Sequence, residues 1–324
     1  MAPTYLITAA SGHIGQRLVP LLLSQPSKPT LVLPTANPER LNSLLPSDVD
    51  RTRVHILDGS VQDPAFIDSA LKDHKVTGVF LCLTGSDELF TTFNLLDCLR
   101  RSGTVKHVVY LSATFDFSLE AMQNGILKHI NCAHVAVKFL VEAKLTHGLL
   151  PRHQEGGFSW TILGPTLFFD NDLRSKHAIL EEGVFDAPVG SKGVSRVSED
   201  DIALAAVKTL EDDGQQWGGK RIMIGSRRTY TAEEIAQLWS HALGRKIKHT
   251  PSDQESLDAF EQQQSKHVGP AWGRDLKLMF EGFEDIGPFG MTDEEYKEQL
   301  VLLGKEPESY EKYVERTAKQ WLGQ

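Results

Sequence analysis

The clearest indication of the fold is the N-terminal segment Tyr5-Leu6-Ile7-Thr8-Ala9-Ala10-Ser11-Gly12-His13-Ile14-Gly15. A short apolar run with β character ends in small residues, and a helical pattern of leucines follows it. A strand, a turn of small residues and a helix N-terminus form a site for dinucleotide phosphates, because backbone N–H groups and the positive end of the helix dipole face the anion. Gly12 and Gly15 are spaced like the last two glycines of G-x-x-G-x-x-G, and Ala9 replaces the first. The cofactor-binding residues predicted here are Ala9, Ser11, Gly12, His13, Ile14 and Gly15. The alternative is an ordinary tight turn without a ligand.

The composition excludes several classes of protein. The chain has 324 residues, 40% of them hydrophobic, which suffices for one large or two modest domains with full cores. A net charge of −9 argues against general affinity for nucleic acid or anionic membranes, and no apolar run is long enough to span a bilayer. Three scattered cysteines are too few for a disulfide framework or a zinc site. We expect a soluble cytoplasmic protein without a signal peptide or a metal, which binds a small-molecule substrate as a monomer or a homodimer.

Apolar runs and helical patterns alternate through the first half of the chain. Strands are predicted at residues 5–8, 31–33, 54–57, 76–83, 108–111 and 160–163. Helices are predicted after the capping residues Asn37 and Asp63, over 90–101 with Phe93 on the inner face, and over 129–145. This alternation predicts an α/β fold, a Rossmann-type doubly wound parallel sheet whose ligand lies beyond the carboxyl ends of the strands.

The sequence changes character after Leu163. Gly164-Pro165 is expected to end the sixth strand, and Ser198 and Thr231 are expected to cap helices. Residues 221–225 read as one further short strand. The last sixty or so residues are mainly helical and charged, with aromatic residues near glycines at Trp272, Phe280, Phe283 and Phe289. These aromatic residues either cover a substrate cleft or fill a small second core.

Several stretches together carry a resemblance to a known family. They are residues 9–15, 94–103, 105–113, 134–138, 160–166 and 310–321. In these stretches the chain resembles the NmrA-like branch of the atypical short-chain dehydrogenase/reductases. The resemblance implies a Rossmann domain over 1–163, a smaller, mainly helical substrate domain over 164–324 with some segments returning to the sheet, and bound NADP(H).

The residues after the second strand favour NADP(H) over NAD(H). An NAD-selective site has a carboxylate about 20 residues beyond the glycine turn to hold the ribose 2′-hydroxyl. Thr35 stands at this distance, and residues 34–37 contain no acid. A 2′-phosphate is attracted by donors, which Thr35, Asn37 and Arg40 supply.

Four more positions are predicted to border the cofactor. Ser60 stands where relatives of the family often have an aspartate near the adenine, so this contact is in doubt. Leu83 and Thr84, at the end of the fourth strand, are expected to flank a ribose and phosphate. Pro165, in the stretch 160–166, is also expected to contact the cofactor.

The predicted catalytic residues follow from the Tyr-x-x-x-Lys pair and serine of ordinary short-chain dehydrogenases. Lysine holds the nicotinamide ribose there, and tyrosine donates the proton. Here Lys138 matches the lysine and Ser112 the serine, but His134 stands in place of the tyrosine. Asp116 and Glu120 are alternative proton carriers in the following loop. The predicted substrate-binding residues are Thr114, Phe168, Phe169 and Asp170.

Three functions remain open from the sequence. The first is an NADP(H)-dependent oxidoreductase of secondary metabolism, acting on a C=O, C=C or C=N bond of a small natural product. The second is an NADP-bound enzyme without net redox change, an imine isomerase or cyclase of alkaloid biosynthesis that uses Asp116, Glu120 or His134 as acid and base. The third is a regulator that senses NADP(H) without turnover.

Overall fold

The structure, a computed structural model, describes residues 2–47, 49–84 and 86–324. Its strands are β1 (Thr4–Ile7), β2 (Thr30–Thr35), β3 (Val54–Asp58), β4 (Gly78–Leu81), β5 (His107–Leu111), β6 (Ser159–Pro165), β7 (Leu167–Phe168), β8 (Val184–Phe185), β9 (Val194–Val197), β10 (Lys220–Ile224), β11 (Thr229–Tyr230) and β12 (Lys248–His249). Its α-helices are α1 (Gly15–Leu23), α2 (Pro38–Leu44), α3 (Pro64–Asp73), α4 (Glu88–Ser102), α5 (Leu119–Gln123), α6 (Ala133–His147), α7 (Glu199–Asp212), α8 (Ala232–Leu243), α9 (Gln254–Val268), α10 (Pro270–Ile286), α11 (Asp293–Leu303) and α12 (Tyr310–Trp321).

A seven-stranded sheet forms the centre of the molecule, in the order β10-β6-β5-β4-β1-β2-β3. Every pairing in this sheet is parallel. The strand order reverses between β1 and β4, so the connections that follow these two strands run to opposite faces of the sheet. They leave a crevice at the carboxyl ends of the strands, of the kind that binds ligands in open α/β sheets. The predicted Rossmann-type fold is confirmed.

Both faces of the sheet are covered, which explains why its central strands are apolar throughout. All four residues of β4 and all five of β5 are buried. One apolar layer joins the sheet to α1 and α7, and the other joins it to α3, α4 and α6. A strand buried on both faces has no position for a solvated side chain, so it shows no alternation of polar and apolar residues.

Helix starts follow the sequence closely. Asn37 accepts a hydrogen bond from the backbone of Arg40, and Asp63 and Ser198 cap α3 and α7 in the same way. Thr231 and Glu234 form a complete capping box at α8.

Three local predictions are wrong. Strand β6 continues through Gly164-Pro165 instead of ending there. The carbonyl of Leu163 faces β5 and accepts from Ser112 N, so Pro165, two residues on, faces the same side, where β5 has already ended. Helix α6 begins at Ala133 instead of residue 129, and Phe93 is 39% exposed on α4 instead of facing inward.

Beyond the sheet, the second half of the chain builds its own core. Two small sheets, β11-β9-β7 and β12-β8, pack with α8, α9, α10 and α12 around aromatic side chains. Phe280 and Phe283 are buried there, so they fill this core and do not cover a cleft. Trp272 stays partly exposed and lines a cleft at the sheet edge. Within the described ranges, no helix is long and apolar enough to cross a membrane.

Candidate functional site

The turn between β1 and α1 has the geometry of a phosphate-binding loop. Ala9 has a φ of +52°, a left-handed conformation that usually favours glycine. The N–H of Gly12 donates to the carbonyl of Ala9 at 2.9 Å, which closes the turn. Ala9 therefore adopts the conformation for which related motifs use their first glycine.

The two glycines of the turn serve different purposes. A Cβ on Gly15 would lie 2.3 Å from the Ala9 carbonyl oxygen and 2.6 Å from Ala10, so Gly15 permits the close packing of α1 against the turn. A Cβ on Gly12 would meet only Ala9 within 4 Å, at 3.2 Å, so little protein crowds that side. These residues fit a dinucleotide, in whose sites the second glycine lets the pyrophosphate approach and the third packs the helix.

The residues predicted for the 2′-phosphate lie together at the end of β2. Thr35 Oγ1 accepts from the N–H of Asn37, and the Asn37 side chain caps α2. Arg40 is exposed, and no acid among the described residues forms an ion pair with it. Asp58, the register partner of Thr35 on β3, is a nearby acid that stands outside the predicted 2′-phosphate residues.

We predict that Arg40→Ala lowers the preference for NADPH over NADH about tenfold, since a hydrogen bond between charged groups contributes roughly 1.5–3 kcal/mol. The measurement is a fluorescence titration with each reduced cofactor. Arg51→Ala, which removes an exposed arginine bonded to the far end of α2, is the matched control. An unchanged ratio in Arg40→Ala would remove Arg40 from the 2′-phosphate site.

Lys138 lies buried between the carboxyl ends of β4 and β5. Its Nζ is 2.5 Å from Glu88 Oε1, 3.3 Å from the carbonyl oxygen of Leu83 and 3.4 Å from that of Leu111. Tyr110 also donates to Glu88 Oε1, at 3.0 Å, and burial followed by the charge of Glu88 raises the pKa of Tyr110 well above its usual value. Lys138 therefore has an ion-pair partner that the sequence did not indicate.

His134 forms a dyad with Asp275 of α10. Its Nδ1 is hydrogen-bonded to Asp275 Oδ2, and Asp275 Oδ1 accepts from the N–H of Ala133 at 2.5 Å. Burial alone would raise the pKa of Asp275, but the hydrogen bond and charge of His134 and the backbone donors outweigh it and lower this pKa. The ring of Trp272 lies 5.7 Å from that of His134 and borders the same cleft as Thr84 and Glu88.

The hydroxyl of Ser112 is committed to another residue. It donates to Glu142, which also binds Arg221 Nε at 2.9 Å. Burial raises the pKa of Glu142 although Arg221 and Ser112 oppose this. Arg221 in turn donates to the carbonyls of Ala113 and Phe115, so Ser112 takes part in a buried network that ties β5, α6 and β10 together.

Known proteins resemble this chain in sequence and in fold. The sequence profile of the NAD(P)H-binding family matches residues 9–213. The chain belongs to this NAD(P)H-binding family. It is 24% identical over 328 residues to the bifunctional pinoresinol-lariciresinol reductase of Forsythia intermedia, covering 96% of this chain and 97% of that one. Matches to two other curated relatives span only 54% and 46% of those proteins.

Two solved structures share the fold of this chain. The NADPH complex of the Escherichia coli quinone oxidoreductase QOR2 superposes with a TM-score of 0.71 at 18% identity, covering 97% of this chain and 99% of that one. NmrA, a negative transcriptional regulator in complex with NADP, gives 0.68 at 14% identity, with 99% and 97% covered. The predicted NmrA-like fold is confirmed by these structures, and the NAD(P)H-binding family confirms the nicotinamide cofactor at the level of the family.

Asp116 and Glu120 are the two remaining predicted catalytic residues. Asp116 is exposed and accepts from the N–H of Ser118, as a turn residue does. Glu120 is exposed in the first turn of α5. Neither forms a hydrogen bond with His134 or Lys138, whose partners are Asp275 and Glu88.

The predicted substrate-binding residues differ in how far they are buried. Thr114 and Phe168 are partly exposed and remain candidates for substrate contact. Phe169 is completely buried against Tyr310 and Tyr313 at ring distances near 5 Å, so its assignment to substrate binding is wrong. Phe168 packs against the core of the large sheet, whereas the ring of Phe169 enters the second core.

Asp170 lies against the cofactor turn. Its carboxylate binds Arg17 at 2.9 Å and lies 3.4 Å from His13 Nδ1. Its N–H donates to Glu199 at 3.2 Å, and Tyr313 donates to its other oxygen at 3.3 Å. Asp170 thus joins the turn to α7 and α12, which corrects its assignment as a substrate residue.

The remaining predicted cofactor residues lie along the carboxyl edge of the sheet. Ser60 is exposed and its Oγ accepts from the N–H of Gln62. The carbonyl oxygen of Leu83 accepts a hydrogen bond from Lys138 Nζ, and Thr84 is exposed at the cleft. Pro165 is buried at the end of β6. The described part of the chain holds no group of three or more histidine, cysteine, aspartate or glutamate side chains that could bind a metal ion.

Burial and the nearby Asp170 raise the pKa of Glu199 from 4.5 to about 7, which makes stability depend on pH. Between these values the folded chain keeps a proton that the unfolded chain has released. Stability must therefore fall as pH rises through this window and level off above it. We predict that Glu199→Gln removes this slope and, above pH 7, raises the free energy of unfolding by roughly 2–3 kcal/mol.

Urea unfolding from acid to mildly alkaline pH measures this effect. Asp200→Asn, which changes the exposed neighbour on the same helix, is the control and should keep the wild-type slope. A Glu199→Gln variant with the same slope as the wild type would show that this carboxyl is already ionised in the folded chain.

Proposed function

We propose that this chain is an NADP(H)-dependent oxidoreductase acting on a C=O, C=C or C=N bond of a small natural product. Membership of the NAD(P)H-binding family and the shape of the β1–α1 turn support the cofactor. Thr35 and Arg40 support the choice of the phosphorylated form. We assign residues 1–163 to cofactor binding and 164–324 mainly to the substrate, with β10 returning to the sheet.

The His134–Asp275 dyad carries this proposal. His134 stands one helical turn before Lys138 on α6, so both side chains are on one face of the helix. With Nδ1–H donated to Asp275, the other ring nitrogen, Nε2, is free to give or take a proton. Bound NADPH supplies a hydride. His134 supplies the proton that the reduced atom needs, and Trp272 beside it shields the site from water.

The test is a panel of quinones, unsaturated ketones and cyclic imines, each incubated with NADPH. Loss of the absorbance of the reduced cofactor, with matching formation of reduced product, is the expected result for at least one class. Product formation that requires the cofactor but does not consume it would contradict the proposal. Tight NADPH binding without any turnover across the panel would favour a regulatory protein instead.

One observation favours a second candidate, an NADP-bound isomerase or cyclase without net redox change. The usual serine and tyrosine donors are not assembled, because Ser112 is bonded to Glu142 and His134 replaces the tyrosine. A histidine held by an aspartate moves protons in both directions near neutral pH. The imine members of the panel distinguish the two functions, since only reduction consumes NADPH in proportion to product.

A further inference from the structure

Glu88, the first residue of α4, has a carboxylate in which only one of the two oxygens accepts hydrogen bonds from the described residues. The side chain is 1% exposed. Its Oε1 accepts from Lys138 at 2.5 Å and from Tyr110 at 3.0 Å. Its Oε2 is buried and has no hydrogen-bond partner in residues 2–47, 49–84 and 86–324. A buried acceptor without a donor is costly, so such an atom calls for a partner that binds from outside.

Lys138 is in the opposite situation. An ammonium group has three N–H donors. Three acceptors surround it here, namely Glu88 and the carbonyl oxygens of Leu83 and Leu111. The lysine that the sequence assigns to the ribose therefore has no donor to spare, whereas the carboxylate beside it has a free acceptor.

The free oxygen belongs to a residue that lines a cleft of about 200 Å³ at the sheet edge. Thr84 and Trp272 line the same cleft. The strand order puts β2, with Thr35, on one side of the phosphate turn and β4 and β5 on the other. A dinucleotide with its adenosine half near Thr35 extends its nicotinamide half toward the ends of β4 and β5, where Glu88 and Lys138 meet.

We propose that Glu88 Oε2 accepts a hydrogen bond from a hydroxyl of the nicotinamide ribose, and that Lys138 is the positioning residue that holds the carboxylate in place. In this arrangement the protein accepts a hydrogen bond from the ribose, whereas the sequence led us to expect that Lys138 donates one to it. Because the acceptor belongs to an ion pair with Lys138, this is a charge-assisted hydrogen bond. The inference rests on the proposed NADP(H) site and adds a residue to it.

The experiment compares four ligands on wild-type protein and on Glu88→Gln by fluorescence or calorimetric titration. The ligands are NADPH, two analogues of NADPH that each lack a different hydroxyl of the nicotinamide ribose, and 2′,5′-ADP, which has no nicotinamide half. The wild type should bind one of the deoxy analogues about tenfold more weakly than NADPH. In Glu88→Gln this ratio should fall to about threefold or less, because the charge is lost. Affinity for 2′,5′-ADP should be unchanged.

Asp87→Asn is the matched control, since Asp87 is the adjacent, exposed carboxylate of the same cleft. It should keep the wild-type ratio. The proposal is overturned if wild-type protein does not discriminate against either deoxy analogue, a comparison that needs no variant to fold. It is also overturned if Glu88→Gln weakens NADPH and 2′,5′-ADP equally. Wild-type protein that binds neither ligand would instead refute the NADP(H) site itself.

Discussion

His134→Asn lowers kcat by about 10²–10⁴-fold and leaves the dissociation constant of NADPH within about twofold of wild type. The asparagine keeps a polar side chain but cannot exchange a proton, so it removes the proton-transfer step alone. The measurement is steady-state turnover of whichever substrate the panel identifies, together with a cofactor titration. Circular dichroism checks that the fold is intact.

Asp275→Asn separates the proton carrier from the residue that positions it. Asparagine retains an oxygen for the N–H of Ala133, so α6 stays capped. It removes the charge that holds His134 and stabilises a protonated ring. Because the pKa of Asp275 is lowered, its charge is present at neutral pH and is lost only below the usual aspartate range. We expect a smaller loss of kcat than in His134→Asn, and a shift in the pH dependence of kcat.

Two outcomes would contradict this assignment. Full turnover in His134→Asn would show that another group moves the proton. A parallel loss of kcat and NADPH affinity in both variants would show that the dyad only fastens α10 to α6. Asp285→Asn is a matched control, because it neutralises an exposed acid on the same helix as Asp275 that forms no hydrogen bond or ion pair with either member of the dyad.

Gly12→Val lowers NADPH affinity by at least about 100-fold while the melting temperature changes little. A side chain on Gly12 meets little of the protein but occupies the space through which a pyrophosphate reaches the backbone amides. Loss of several such hydrogen bonds to a charged group accounts for an effect of this size. Calorimetric titration measures the affinity, and thermal unfolding measures the stability.

Gly15→Val is the informative comparison, because the same added side chain has a different cost there. Its Cβ would collide with the backbone of Ala9 and Ala10, at distances no real Cβ shows, so the turn and the start of α1 must shift. This variant should lose stability as well as cofactor affinity. If Gly12→Val binds NADPH normally, the dinucleotide does not lie on this turn.

The strands, helix starts and cofactor turn could be predicted from the sequence because each depends on residues close together in the chain. The cap of Asn37 on α2 spans three residues, and the turn at Ala9 closes over a similar distance. The extended strand at Pro165 could not be predicted. A proline is tolerated there only because the neighbouring strand has ended, and the sequence does not reveal where the neighbour ends.

The hydrogen-bond and ion-pair partners of the predicted site residues could not be predicted from the sequence. His134 pairs with a residue 141 positions away, Lys138 with one 50 positions away, and Glu142 with Arg221 across 79 positions. Glu88 lies two residues before the helix predicted over 90–101, and acids are common near helix starts, so the sequence did not single it out. For Asp275 no local signal distinguished it from other acids on α10.

Local patterns were enough to predict the doubly wound sheet, the phosphate turn and the face of α6 that carries His134 and Lys138, because hydrophobic periodicity, small residues and helical spacing act over a few positions. The charge that lies against each of these side chains depends on tertiary packing, because helices distant in the chain bring those charges into contact. That packing made Asp275 the partner of His134 and left one oxygen of Glu88 without a donor.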